Sequence, residues 1–477
     1  MNILSRVACF MISGILYSQS AYSQGPVPGT ISLNSLDAFR NPAKNWVVAS
    51  DASANFSKVD AIKALNGSGA VVNTSLQKGA NLVTKEEFGD VDLELDFMMA
   101  KGAASGVYLQ GRYEIQLADS WTKLNPTFAD LGGIGQKSGN TPTSFDGETP
   151  LINVAKAPGL WQHLHVKFRA PKFNANGIKI ANARFEEVYL NGTLVQVHVD
   201  VSAPTKGSIF ADEKVTGPLM LQGDEGSVAF RNITPRFLPV SQAPAVQTNP
   251  AAARRLMRVL NPILLDPGNK PYLLRSYLDY GNKKRTHVIS VGNPNQVNYS
   301  YDMKQGALLQ VWRGQFVDVT NMWEGRGESQ LAKPNGSVVL LSGAPAIASL
   351  SDANVVWPDS IAFDDFNNKG YVLDKNRNPT FRYLYNGAEV TDKISIPSNG
   401  ESLVREINVS NAPVNFYCRI ASANEIESVG KGLYAVDGKS YYVRIDERFK
   451  PLVRKTQNGQ ELIVGVGKSV TPLTYSI

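Results

Sequence analysis

Alternation with period two, in short segments broken by Gly, Pro, Asn and Asp, most narrows what this chain can fold into, because successive side chains of a strand point to opposite faces. The clearest case is 106-GVYLQGRYEIQLADSW-121. Val107, Leu109, Gly111, Tyr113, Ile115 and Leu117 fall on one face, and Tyr108, Gln110, Arg112, Glu114 and Gln116 on the other. The segment is read as one half-buried strand. Its polar face is chemically richer than wetting requires, since it holds a phenol, two amides, a guanidinium and a carboxylate. Similar runs occur at 91-VDLELDFMM-99, 161-WQHLHVKFRA-170, 183-ARFEEVYLNG-192, 194-LVQVHVDV-201 and 228-VAFRNI-233, with Asn191-Gly192 as a hairpin turn. Together they predict a β-sandwich over residues 30–238.

After 239-PVSQAPAVQTNPAAARRLMRVLNP-262 the pattern returns at 271-PYLLRSYLDY-280, 286-THVISVG-292, 297-VNYSYDM-303, 307-ALLQVWRG-314, 381-FRYLYNG-387 and 441-YYVRIDERF-449. The prolines and small residues predict a linker with a short helix over 239–268, and a second β-rich domain over 269–477. The fold class expected is all-β, two domains for 477 residues. At the start, Arg6 precedes the apolar run Val7–Tyr17, and Ala21 and Ser23 stand at signal-peptidase spacing. This predicts a signal peptide over 1–23 and a periplasmic or secreted protein. Cys9 lies too near the start for lipid anchoring to be more than a minor alternative. No later segment reaches the apolar length of a transmembrane helix.

Several function classes drop out. Two cysteines, one inside the signal, allow no internal disulfide in the mature chain and no zinc knuckle, and there is no CxxCH for haem. The net charge of +6 is scattered, without the basic stripe of a nucleic-acid binder. No GxGxxG, Walker or GxSxG motif is present, and 132-GGIGQKSG-139 has the wrong spacing for a phosphate loop, so no nucleotide is expected. Asp92, Glu94 and Asp96 have the spacing of carboxylates on one strand face, as in some retaining glycosidases, but a solvated outer strand is the favoured reading. His163, His165 and His198 also fall on polar faces, and whether these converge with the Glu114 face is open at this level.

Five stretches, in order, resemble the 3-keto-disaccharide hydrolases: 106-GVYLQGRYEIQLADS-120, 132-GGIGQ-136, 150-PLINVAKAPGLWQHLHVKFRAPKF-173, 181-ANARFEEVYLNGTLVQ-196 and 217-GPLMLQGDEGSVAFRNI-233. The resemblance implies a concanavalin A-like jelly roll over residues 30–238. Two departures stand out: Gln110 is often Arg in the family, and 221-LQGDEG-226 replaces the common Leu-Gln-Asp-His-Gly, removing a histidine. Further on, 272-YLLRSYLDY-280 and 299-YSYDMKQGALLQVWRG-314 resemble a β-rich module attached to sugar-processing domains and to some secreted haem-containing dehydrogenases. There Trp312, Arg313, Asp318, Trp323 and Arg326 could stack on or dock a sugar, although core tryptophans with paired arginines are the favoured reading.

The activity implied is cleavage of a glycoside already oxidised at sugar carbon 3, by proton abstraction at carbon 2, elimination and water addition. Glu114 is the leading base, with Asp119 as alternative. Arg112 would steady the enolate, and His163 or His165 would protonate the leaving oxygen. Tyr108, Gln110, Gln116, Asn153, Gln222 and Asp224 would bind the sugar. A divalent metal on Glu114, Asp119 or a histidine could replace Arg112. The bland alternative pairs Arg112 with Glu114 in a salt bridge that holds no substrate. A non-catalytic carbohydrate-binding module, or a scaffold for an oxidoreductase that makes the 3-keto sugar, are the rival functions.

Overall fold

The structure, a computed structural model, describes residues 29–137, 146–239, 262–324, 330–352, 354–467 and 471–477. The expected signal peptide, the helix of the linker, Gly139 and Arg326 lie outside the described residues. No helix among the described residues is long and apolar enough to cross a membrane.

Two antiparallel sheets make the first half a β-sandwich with jelly-roll character. One has seven strands in the order Trp46–Ala49, Ala70–Asn73, Val228–Phe237, Val91–Met99, Trp161–Arg169, Ala183–Leu190 and Thr193–Val201. The other has four: Leu82–Phe88, Gly217–Leu221, Ala104–Leu109 and Tyr113–Ala118. Their facing sides form one core, in which Leu95, Phe97, Leu164, Val166 and Phe168 meet Val107, Leu109, Ile115 and Leu117. Tyr113 lies 5.4 Å from Phe168 across the gap. Burying a side chain such as Phe168 contributes roughly 1.5–3 kcal/mol, so alternate residues of every strand are committed to this interior. The outward residues of the two sheets therefore look in opposite directions.

The segment 106–121, expected as one strand, is a hairpin. Ala104–Leu109 and Tyr113–Ala118 pair antiparallel, with Leu109 opposite Tyr113. Gln110 (φ 56°) and Gly111 (φ 63°) both take the left-handed conformation, and the Arg112 N–H donates to the Leu109 carbonyl at 3.0 Å. Glycine takes that conformation freely, whereas Gln110 bears some strain. The physical reason for the misreading is parity. Residues facing each other across this hairpin sum to an even number, so the alternation passes through the reversal undisturbed. Asn191 (φ 50°) and Gly192 (φ 79°) do form the expected turn.

From Leu264 onward the described strands build sheets of six, four and eight strands, and among the described residues none pairs with a strand of the sandwich. The six- and eight-stranded sheets share a core of Val291, Tyr299, Tyr301, Phe381, Ile394 and Leu403. The two halves touch where Asp51 accepts from Trp161 Nε1 at 3.0 Å and from Lys439 Nζ, and where Phe56 lies 5.6 Å from Tyr442. Trp312 is buried, its Nε1 donating to the Gln315 and Phe316 carbonyls. Arg313 donates to the Gly400 carbonyl, and Asp318 accepts from the Thr320 N–H at 2.8 Å. These residues form no sugar platform; Trp323 alone among the two tryptophans is exposed, at the end of the single-turn helix Thr320–Trp323. Cys418 is a free, buried thiol, and burial pushes its pKa up to about 12.

Candidate functional site

Tyr108, Glu114 and Gln116 share the outer face of the four-stranded sheet. Glu114 stands opposite Tyr108, and Gln116 opposite Gly106. On the next strand over, Gly217–Leu221 leads into Gln222, whose N–H donates to the Gly106 carbonyl at 2.9 Å. Gly106 is the point on which these groups close in, leaving no room for a side chain. A Cβ added there would lie 2.7 Å from Glu114 Oε1, 2.8 Å from Tyr108 Cε2 and 3.0 Å from Gln222 Oε1. Gly135 walls the other side, where a Cβ would lie 2.3 Å from Glu114 Oε2.

This face is not wet, as the alternation alone suggested. Glu114 is 6% exposed, because the loop from Thr205 lies over it. Glu114 N–H donates to Thr205 Oγ1 at 3.1 Å, Thr205 Oγ1 donates to the Arg112 carbonyl at 2.9 Å, and the Tyr108 hydroxyl donates to the Lys206 carbonyl at 3.0 Å. Burial raises the Glu114 pKa to about 7, with Glu225 and Asp224 adding to the rise, while the Tyr108 hydroxyl and Lys206 oppose it. Burial and the neighbouring Glu114 charge push the Tyr108 phenol far up, so it stays protonated. Gln222 Oε1 is buried without a hydrogen-bond partner. The cluster is thus a carboxylate poised near neutrality, a neutral phenol, and an amide oxygen still seeking a donor.

The other expected site residues go elsewhere. His163 and His165 lie on Trp161–Arg169, on the outer face of the opposite sheet, because Leu164, Val166 and Phe168 fill the core between them. There His163 Nδ1 meets Asp96 at 2.9 Å and His165 Nε2 meets Asp92 at 2.7 Å. The sandwich core separates them from Glu114, so neither can protonate a leaving group there. Replacing His165 with Ala should leave turnover by a Glu114-dependent site within about twofold, read as kcat/KM.

Arg112 faces the loop that carries Phe210 and Asp212, not the Glu114 carboxylate. Its Nε and NH2 donate to the Asp212 carbonyl and carboxylate, its NH1 donates to the Gln110 carbonyl at 2.9 Å, and its guanidinium lies 4.4 Å over Phe210. Each of its three nitrogens is engaged with protein, and Asp212, rather than Glu114, is its ion-pair partner. Gln110 Nε2 donates to the Val215 carbonyl at 3.0 Å and more distantly to Phe88, holding the hairpin tip instead of a sugar. Asp119 accepts from the Gly102 N–H at 2.8 Å and closes the turn before the hairpin. Asn153 is buried and donates to the Ser120 and Lys123 carbonyls at 2.7 and 2.8 Å. None of these four reaches the Glu114 carboxylate. Asp224 is exposed and acts on Glu114 through its charge.

Glycines 106 and 135, Thr205 and Glu225 escaped the sequence reading. Gly106 was legible only as a strand residue and Gly135 only as a loop residue, and the others come from segments far along the chain. Gly135→Ala should displace the Glu114 carboxylate and lower kcat/KM by more than about tenfold, with far-ultraviolet dichroism unchanged. Among the described residues, one set of carboxylates and imidazoles is close enough to share a cation: Asp92, Glu94 and His165, within 4.8 Å. It lies on the histidine face, where Glu94 already pairs with Arg236 at 2.9 Å. Glu114 belongs to no such set, so the groups around it do not build a three-ligand cage. Of the two cavities described, the larger lies in the C-terminal half and the smaller beside Gln110, and neither includes Glu114.

Residues 33–236 match the 3-keto-alpha-glucoside-1,2-lyase-like domain family. The lyase-like domain therefore coincides with the sandwich, and the Glu114 cluster lies within it. The match supports a carbohydrate-related, hydrolase-like domain. A candidate glycosyl hydrolase of Parabacteroides distasonis ATCC 8503 is 23% identical, covering 44% of this chain and 84% of its own, with a TM-score of 0.30. A second one from the same organism is 20% identical over 44% of this chain and 99% of its own, with a TM-score of 0.28. The carbohydrate-binding module CBM66 of Bacillus subtilis is 12% identical over 40% and 95%, with a TM-score of 0.19. Scores this low carry no argument about activity. No curated protein matches the chain.

Proposed function

We propose that the lyase-like domain cleaves the glycosidic bond of 3-keto-glycosides, with Glu114 as the base. The observation that carries this is one buried carboxylate, its pKa raised to about 7, set among Tyr108, Gln116 and Gln222 on the sheet face of a domain from a carbohydrate-acting family. A ketone at carbon 3 acidifies the hydrogen at carbon 2. Glu114 takes that proton, the electron pair passes into an enolate, and the enolate collapses to a carbon 1–carbon 2 double bond as the glycosidic oxygen leaves. The leaving oxygen takes up a proton from protonated Glu114 or from Tyr108. Water then adds at carbon 1 and a proton returns to carbon 2, so the net reaction is hydrolysis. A base with pKa near the working pH combines a large deprotonated fraction with a useful proton affinity. Tyr108 and Gln222 supply the hydrogen-bonding groups nearest the reacting atoms, and half-buried Gln116 marks the side from which a sugar would approach.

Such a substrate comes from an oxidation of sugar carbon 3, so this reading calls for an oxidoreductase acting before this protein, and it goes with the signal peptide expected from the sequence. The test is release of the alcohol from a 3-keto-glycoside by the purified protein, with and without EDTA. Release that EDTA leaves intact supports the reading with side chains alone. Release abolished by EDTA gives the electrophile's part to a metal, and binding without release makes the domain a carbohydrate-binding module.

A further inference from the structure

A cavity of about 1920 Å³ lies in the C-terminal half, far in the chain from Glu114. It is a cleft lined by residues of the six-, four- and eight-stranded sheets and the loops between their strands. The hairpin tip between Tyr272–Tyr280 and Lys283–Gly292 brings Lys283, Lys284 and Arg285, and the turn before Ala307–Asp318 brings Lys304. Strand Phe416–Ala423 brings Arg419, and strand Leu452–Thr456 brings Arg454 and Lys455. Against these seven cations stand three carboxylates, those of Asp359, Asp364 and Glu461.

The floor is already short of negative charge. Glu461, 5% exposed, is shared by two guanidiniums: Arg454 Nε and NH2 bind one carboxylate oxygen at 2.9 and 2.6 Å, and Arg419 binds the other. Arg419 also lies 5.0 Å over the buried Trp357. Arg285 is weakly satisfied, with contacts of 3.4 Å to Asp302 and to the Gly343 carbonyl, and its Nε is buried without a partner. At the rim, Lys283, Lys304 and Lys455 are exposed and enter no ion pair among the described residues. Leaving this many like charges around one hollow is unfavourable unless something anionic enters.

We propose that this cleft binds an anionic polysaccharide, one bearing uronate or sulfate groups. The volume exceeds the roughly 300–1,000 Å³ of a small-molecule pocket and suits several sugar units. Asp359 and Asp364, with the amides of Asn354, Asn367 and Asn458, interrupt the cationic wall. Acceptors of that kind receive hydrogen bonds from sugar hydroxyls, which a glycan offers on every unit and a single-stranded DNA backbone lacks. The site would hold a charged glycan to the protein independently of any chemistry at Glu114.

Calorimetric titration of the full chain with polygalacturonate, chondroitin sulfate, neutral dextran and a single-stranded oligonucleotide tests the assignment. Binding of at least one of the two anionic glycans is expected, and which one binds separates carboxylate from sulfate recognition. Its affinity should fall by at least about tenfold when salt rises from about 50 to 300 mM. The combined variant Lys283→Glu, Lys304→Glu and Lys455→Glu should lose at least about tenfold with its thermal midpoint unchanged. If that variant unfolds, the corresponding Lys→Gln variant carries the same expectation at smaller amplitude. No binding of either anionic glycan, equal binding of dextran, tighter binding of the oligonucleotide, or full affinity in the variants would overturn the proposal.

Discussion

Glu114→Gln lowers kcat/KM on a 3-keto-glycoside by about 10²–10⁴-fold, the range for loss of a positioned general base. The amide fills the same space between Gly106 and Gly135 but cannot accept the carbon 2 proton. For the wild type, the deprotonated carboxylate is the active form, so kcat/KM rises about tenfold per pH unit below the Glu114 pKa of about 7 and levels off above it. The same variant should gain stability at high pH. The folded state binds this proton more tightly than the unfolded chain, so the contribution of Glu114 is full below pH 4.5 and is lost as pH rises through about 7. Carried above pH 7, that loss is on the order of 3 kcal/mol. Glu114→Gln removes it, so the thermal midpoint of the variant should exceed that of the wild type at pH 8 and match it at pH 4. A residue kept in place at a cost in stability is a common mark of function.

The second large effect belongs to the C-terminal half. Asp392 and Arg405 are buried on neighbouring strands, Ala388–Ser395 and Val404–Ser410, with Arg405 Nε 2.9 Å from Asp392 Oδ1. The Tyr301 hydroxyl donates to Asp392 Oδ2 at 2.8 Å from the six-stranded sheet, and Arg405 NH1 donates to the Tyr475 hydroxyl at 2.9 Å. The network therefore joins two sheets through charges with no access to water. Arg405→Met leaves Asp392 buried and uncompensated, and should destabilise by about 3–5 kcal/mol in urea unfolding. Arg405→Met combined with Asp392→Leu should recover most of that, because the pair is removed together with its desolvation penalty. A loss under about 1 kcal/mol in the single variant would contradict this reading.

What the sequence disclosed divides along the range of the interactions involved. Strands such as Val91–Met99 and Trp161–Arg169 were legible because their alternation is local and strong. The core-facing and outward sets on them were legible for the same reason. Which outward faces point the same way was not. His163 and Glu114 look equivalent in their own segments, and only the pairing of each with distant strands sends them to opposite sides of the sandwich. Arg112 shows the same limit, since its partner Asp212 lies 100 residues away. Residue type and strand position pointed to Tyr108, Glu114, Gln116 and Gln222, which the sheet does bring around Gly106. Gly106 and Gly135 contribute by what they lack, and a missing Cβ gives no chemical signal in a sequence.

Isotope incorporation distinguishes the elimination route from direct hydrolysis. Run in D₂O and sampled early, turnover of a 3-keto-glycoside should give product carrying deuterium at carbon 2, and Glu114→Gln should abolish both product and label. Product formed by the wild type with its original hydrogen at carbon 2 would contradict the assignment of Glu114 as the base.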